Sequence, residues 1–368
     1  MKITQADSNM VAAANQTDNI KWYRPCLPAF RTAGFAFGDE GYHRLPKSSF
    51  TMLKKTNPAI LMLANNTSGG QLYVRTNSSV LQIKVVLRDT AVLCHMTATG
   101  QCGFDCYIKK DGAYQFVNAV KYDKELKSYQ FTMFENLQKT QRDILLNFPL
   151  YGGVEQLLIG LDDDAAFKTP PSFAQEGRVV VYGTSITQGG CASRPGMSYT
   201  NLLSRALDIE FINLGFSGNG NGEPEIVKLV ASVTHARLFV IDYEANAGVN
   251  GVLEQTFDGV LNAIRAVYPA VPILVLSIIN MPSLLNTQAQ RTALAQRRML
   301  MQNNLASRTA NGDSNLYFLN GAELLGEDWH ECTVDGVHPN DLGFYKMACA
   351  LKAPIQKILS ANKNDDKS

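Results

Sequence analysis

The chain has 368 residues, 45% hydrophobic and 18% charged, with a formal net charge of +1. That length suits two domains of roughly 100–200 residues, and the composition excludes a disordered or fibrous chain. The near-neutral charge, with no dense Lys/Arg run, excludes the electrostatic footprint of a nucleic-acid binder. Apolar runs no longer than 272–279 fall far short of the roughly 20 residues that span a bilayer.

Residues 1–20 are polar and lack the apolar core of a secretory signal, so they read as an N-terminal extension. The expectation for the chain as it stands is the cytoplasm, or export if a leader was removed from it. The seven cysteines (Cys26, Cys94, Cys102, Cys106, Cys191, Cys332 and Cys349) are odd in number and show no repeated metal-ligand spacing, although Cys102 and Cys106 are close. They read as reduced and structural.

Residues 21–165 carry short alternating apolar runs such as 71–75 (QLYVR) and 81–87 (LQIKVVL), punctuated by Asn-Asn, Ser-Gly-Gly and Asp-Gly turns. This pattern predicts an all-β jelly roll or sandwich, with Asp111-Gly112 as a two-residue hairpin turn. Residues 166–177, with paired prolines, read as a linker.

From 178 the rhythm becomes strand then helix. Strands are expected at 178–182, 210–214, 237–243, 272–279 and 316–319, with helices at 198–207, 223–233, 251–267, 288–307 and 341–359. Five buried strands alternating with amphipathic helices imply a doubly wound parallel sheet over 178–361, whose sites form at the carboxyl ends of its strands. Residues 362–368 read as a frayed tail.

Chemistry-bearing residues fall at those strand ends. Ser185 lies just past the first strand in 183–187 (GTSIT), where its hydroxyl can project above the sheet; a serine needs a base to become a nucleophile. Taken alone, the segment reads more readily as a Gly/Ser turn than as a nucleophile. In 335–339 (DGVHP), a DxxH turn can return the Asp335 carboxylate to Nδ1 of His338 and aim Nε2 at a serine, with Pro339 in the first turn of the last helix. A helix-capping Asp with an incidental His is the plainer alternative. His330, with only Asp328 nearby, is the rival base.

Gly218 in 213–218 (NLGFSG) and Asn246 in 242–246 (DYEAN) follow the second and third strands. Their backbone and side-chain N–H groups, with the N–H of Ser185, supply three donors suited to an oxyanion.

As a set, GTSIT, NLGFSGNG, DYEAN and DGVHP resemble the four blocks of the SGNH (GDSL-type) hydrolase superfamily over 178–361. The resemblance implies a three-layer α/β/α, flavodoxin-like domain. It also implies Ser185 as nucleophile, Asp335 and His338 as its partners, and Ser185, Gly218 and Asn246 as the oxyanion hole. The departures are Thr184 and Ile186 where the family name spells Asp and Leu, and Glu-Ala before Asn246 where Gly-x often stands. Upstream, 42–46 (YHRLP) and 95–107 resemble the β-domain that precedes the hydrolase in a bacterial GDSL subfamily with the signature G-x-D-L-Y. Here Cys106 replaces the Leu.

A jelly roll before an SGNH domain is similar to the layout of carbohydrate acetylesterases. The expected function is therefore serine-dependent hydrolysis of a small acyl ester, acetyl foremost, on a carbohydrate. The expected partner is a small-molecule or oligosaccharide acyl ester, with no cofactor, metal, nucleic acid or membrane; oligomeric state is left open, a homodimer included. Trp329 is a candidate for stacking on a sugar, against a place in the core, and Arg194 for an anionic substrate, against a solvated loop arginine. Asp105 reads as a turn former rather than a sugar-binding carboxylate, and Cys191 has no His–Cys pattern to support thiol chemistry. Rival readings are a lipid or thioester acylhydrolase, a transacylase, and an inactive carbohydrate-binding protein.

Overall fold

Alternating apolar residues carry the N-terminal half into two antiparallel sheets. The computed structural model describes residues 19–26, 28–38, 41–248 and 250–361, so the expected extension, apart from Asn19 and Ile20, and the expected tail at 362–368 lie outside the described residues. One sheet joins β1 (Ile20–Tyr23), β4 (Leu81–Leu87), β7 (Ser128–Phe134) and β9 (Val154–Asp162) in the order β1-β9-β4-β7. The other joins β3 (Gln71–Thr76), β5 (Asp105–Lys110), β6 (Ala113–Ala119) and β8 (Arg142–Asn147) in the order β3-β8-β5-β6. Two short strands, β2 (Phe30–Ala33) and β10 (Phe167–Lys168), pair with β3. Orders 1-9-4-7 and 3-8-5-6 are those of a jelly roll.

The inward faces interdigitate in one cluster that includes Leu72, Ile83, Val85, Phe104, Phe131, Leu146, Phe148 and Ile159. Asp111 and Gly112 both have positive φ (50° and 81°), the geometry a two-residue hairpin turn needs between β5 and β6. Part of the expected linker is instead strand, since β10 pairs with β3.

After residue 177 the expected alternation is present. β11 (Arg178–Gly183), β12 (Glu210–Gly215), β13 (Ala236–Asp242), β14 (Ile273–Leu276) and β15 (Leu316–Leu319) form a parallel sheet ordered β12-β11-β13-β14-β15. The inner strands are almost wholly buried, as continuous Val/Ile/Leu runs require when helices cover both faces.

The chain divides into two compact units. The first comprises residues through His43, Asn65–Ser172 and Ser193–Gly196; the second comprises Arg44–Ala64, Phe173–Ala192 and the chain from Met197 onward. Residues 44–64 thus depart from the all-β expectation and cluster with the parallel sheet. They form two helices, α1 (Phe50–Thr56) and α2 (Pro58–Ala64), separated by Asn57, whose side chain accepts from the N–H of Ile60. A residue before proline disfavours the helical region while proline suits a first helical turn, so Asn57-Pro58 ends one helix and starts the next.

Buried Arg44 closes this hairpin. Its N–H donates to the carbonyl of Ala64 and its guanidinium to that of Leu63 at 2.6 Å, and it reaches the carbonyls of Asn213 and Gly215 at the end of β12. All seven cysteines are unbridged. No helix among the described residues is long and apolar enough to cross a membrane.

Candidate active site

Ser185 opens α3 (Ser185–Gln188), a single turn directly after β11. Such a short helix needs its ends fixed, and Thr184 does this with a capping box. Its hydroxyl accepts from the N–H of Ile186, and its own N–H donates to Oγ1 of Thr187, both at 3.3 Å. Thr184 therefore performs the capping that an Asp would, and Ile186 is buried beneath the turn.

Further hydrogen bonds fix the turn on the sheet. Thr187 Oγ1 and the Tyr199 hydroxyl donate to Oδ2 of Asp242 at 2.8 and 2.7 Å, and Asn213 Nδ2 donates to the Thr187 carbonyl at 2.6 Å. The Ser217 N–H donates to Oε1 of Gln188 at 3.1 Å, tying the loop after β12 to the serine turn. Burial raises the Asp242 carboxyl to about 6 and nearby Glu244 adds to this, while the two hydroxyl donors oppose it.

The structure brings Asp335 and His338 to Ser185. His338 Nε2 is 2.9 Å from Ser185 Oγ, and Nδ1 is 2.7 Å from Oδ2 of Asp335. Asp335 Oδ1 accepts from the N–H groups of Val337 and His338 at 3.0 and 2.8 Å, so the carboxylate folds the turn that carries its own imidazole. Burial alone would raise the Asp335 carboxyl. The His338 N–H and ring and the Val337 N–H outweigh that and hold it at about 2, so it is anionic at neutral pH.

The expected place of Pro339 needs correction. It pairs with Thr333 in an isolated bridge that closes the turn, and the last helix starts at Asp341 with Asn340 capping the N–H of Gly343.

Three N–H donors on the strand-end loops have no acceptor among the described residues: the N–H of Ser185, the N–H of Gly218 and the side-chain amide of Asn246. Gly218 has φ +68°, which a side chain would strain, and open space where a Cβ would sit. Asn246 lies in the single turn Glu244–Ala247 after β13, and its Oδ1 accepts from the Gly220 N–H at 3.4 Å. Such an arrangement can activate a hydroxyl and receive a developing oxyanion.

Other expectations fare differently. His330 is exposed beside Glu331 at 3.9 Å, while the ring on Ser185 is that of His338. Trp329 is half-buried in the turn Trp329–Glu331, edge-on to the His330 ring. Arg194 is partly buried: within the first unit it pairs with Asp105 at 3.1 Å, bonds the Tyr107 hydroxyl and lies 4.0 Å over the Phe116 ring. Asp105 is therefore not a turn former. It is fully buried at the start of β5, and also accepts from Asn147 and from the Gly196 N–H. Its signature segment binds the loop at 193–196. Sequence reasoning missed Thr187, Gln188 and Asp242, whose roles depend on partners far along the chain.

A serine, histidine and aspartate on the strand-end loops of a 2-1-3-4-5 parallel sheet define a hydrolase of the GDSL type, and the comparisons agree. Residues 176–356 match the GDSL-like lipase/acylhydrolase family, and residues 20–167 match the N-terminal domain of SGNH-type esterases with the GxDLY signature. A protein assigned as a GDSL-like lipase from Bacteroides ovatus is 32% identical, with a TM-score of 0.84 over 93% of this chain and 98% of that one. The chain belongs to the GDSL-like lipase/acylhydrolase family.

Two more distant structures share the fold. Salicylyl-acyltransferase SsfX3 from a tetracycline biosynthetic pathway has a TM-score of 0.75 at 19% identity, covering 93% of this chain and 98% of that one. A family two carbohydrate esterase from Cellvibrio japonicus has 0.59 at 14% identity with the same coverages. None of the curated proteins matches the chain in sequence.

Proposed function

We propose that the protein is a serine esterase that removes small acyl groups, acetyl foremost, from carbohydrate esters. The observation that carries this reading is the continuous chain from Asp335 Oδ2 through the His338 ring to Ser185 Oγ, at 2.7 and 2.9 Å. His338 accepts the Ser185 proton as Oγ attacks the ester carbonyl. The N–H groups of Ser185 and Gly218 and the amide of Asn246 receive the oxyanion. Collapse expels the alcohol, which takes the proton from His338, and leaves an acyl-enzyme. Water, deprotonated by His338, then releases the acid and restores Ser185. Asp335 remains ionised and stabilises the imidazolium.

The carbohydrate part rests on the layout of a jelly roll before an α/β unit, as in the carbohydrate esterases whose fold it shares, and on half-exposed Trp329 near the triad turn. Acyl transfer to an alcohol is the second reading, favoured by the close fold match to the salicylyl-acyltransferase; it uses the same acyl-enzyme.

Hydrolysis of p-nitrophenyl acetate, butyrate and octanoate by the wild type and by Ser185→Ala tests the proposal. Serine-dependent turnover that falls with chain length supports it, and octanoate preference replaces it with a lipid acylhydrolase. Turnover surviving in Ser185→Ala, or absent from the wild type, sinks it. Adding an alcohol acceptor and measuring ester product against free acid separates transfer from hydrolysis.

A further inference from the structure

The single turn Glu244–Ala247 carries Asn246, yet one turn has little intrinsic stability and this one has no side-chain N-cap. Its first residue, Glu244, is a buried carboxylate. A buried charge is tolerated only when paired and hydrogen-bonded, and both carboxylate oxygens are occupied. Oε2 accepts from the N–H of Ile278, just past β14, at 2.7 Å. Oε1 accepts from Nε of Arg297, on the long helix Gln288–Ala310, at 3.0 Å.

Arg297 also covers the far end of the turn. A Cβ on Gly248 would lie 2.9 Å from Arg297 Nε, so the glycine is what lets the guanidinium approach. The Gly248 N–H in turn donates to the Glu244 carbonyl at 2.7 Å. The turn is thus held at its start by Ile278 and at its side and end by Arg297, while among the described residues the side-chain amide of Asn246 has only the long 3.4 Å contact from Gly220.

We propose that Arg297 is a positioning residue for Asn246. Acting through Glu244, it sets the rotation of the turn and thereby the aim of the Asn246 amide at the oxyanion; this rests on the esterase reading given above. Arg297 touches neither substrate nor reacting atoms in this role. Misplacing a donor by about an ångström can cost up to roughly 100-fold in rate.

The test is a double-mutant cycle on p-nitrophenyl acetate, with kcat and KM measured for wild type, Arg297→Ala, Arg297→Lys, Asn246→Ala and the Arg297→Ala/Asn246→Ala pair. Arg297→Ala is expected to lower kcat by about 10- to 100-fold with KM within about twofold, and Arg297→Lys to recover most of the loss. In the Asn246→Ala background, Arg297→Ala should cost less than about twofold more, because the donor it aims is gone. Equal losses in both backgrounds, or an unchanged kcat in Arg297→Ala, would overturn the proposal. If near-ultraviolet circular dichroism shows Arg297→Ala unfolded, Glu244→Gln replaces it in the same cycle, with the same two outcomes. A large Asn246→Ala effect beside a normal Arg297→Ala sinks the positioning role alone. Absent serine-dependent turnover in the wild type sinks the esterase reading and this role together.

Discussion

The main-chain N–H of Gly220 donates to Oδ1 of Asn246 at 3.4 Å, so the loop after β12 helps orient the amide carried after β13. That contact takes one of the two lone pairs of the oxygen and leaves both Nδ2 hydrogens for a substrate. Asn246→Ala is accordingly expected to lower kcat by about 100-fold or more with KM little changed. Steady-state kinetics on p-nitrophenyl acetate measure this, and an unchanged kcat would move the third donor elsewhere.

Asp335 should act as an anion throughout the working pH range. Its folded pKa of about 2 lies below the unfolded value of about 3.9, so its contribution to stability is fully present above that value and fades as pH falls towards 2. Asp335→Asn should lose on the order of 10³–10⁴-fold in kcat. The stability gap between wild type and variant should narrow between about pH 4 and pH 2 in thermal melts. A gap independent of pH in that window would show the carboxylate to be unshifted.

Asp242 has the opposite sign. Its folded pKa of about 6 lies above the unfolded value, so the folded state retains the proton longer, and the associated stability is lost as pH rises from about 4 through 6. Asp242→Asn is uncharged and keeps an oxygen for Thr187 and Tyr199. Its Tm relative to wild type should climb over that interval, whereas a constant difference would mean that Asp242 is ionised in the fold at all these pH values.

Arg194→Ala should behave as a stability mutation. It removes the cation beside fully buried Asp105, which costs about 3 kcal/mol when a buried pair loses one partner. Urea denaturation should register that loss while KM for a neutral ester stays put. A raised KM at unchanged stability would restore the substrate-binding role.

Much of this was legible in the chain because the signals are local. Val179 to Val181 can only be a buried strand, Asp111-Gly112 suits one kind of turn, and Asp335 to His338 closes within four residues. The strand ends that deliver Ser185, Gly218 and Asn246 to one sheet follow from such runs. What stayed hidden depends on distant partners. Asp105 looks like a turn residue until Arg194 and Gly196 cover it, and Glu244 looks like an exposed helix-start acid until Arg297 and Ile278 claim its two oxygens. Pro339 suits the first turn of a helix, yet the bridge to Thr333 displaces the helix start to Asp341. Residues 44–64 contain helix formers, but nothing local says that they pack with a sheet assembled from the far half of the chain.

That last arrangement bears on how the protein is made. Arg44 must await the β12 carbonyls of Asn213 and Gly215, which are synthesised some 150 residues after the α2 helix ends. At ribosomal speeds of about 5–20 residues per second, the wait is roughly 8 to 30 s. Leu53, Ile60 and Leu63 are all buried in the finished fold, so through that interval the hairpin is without part of the unit it belongs to. A gene cut at residue 177 would yield a fragment permanently lacking that part.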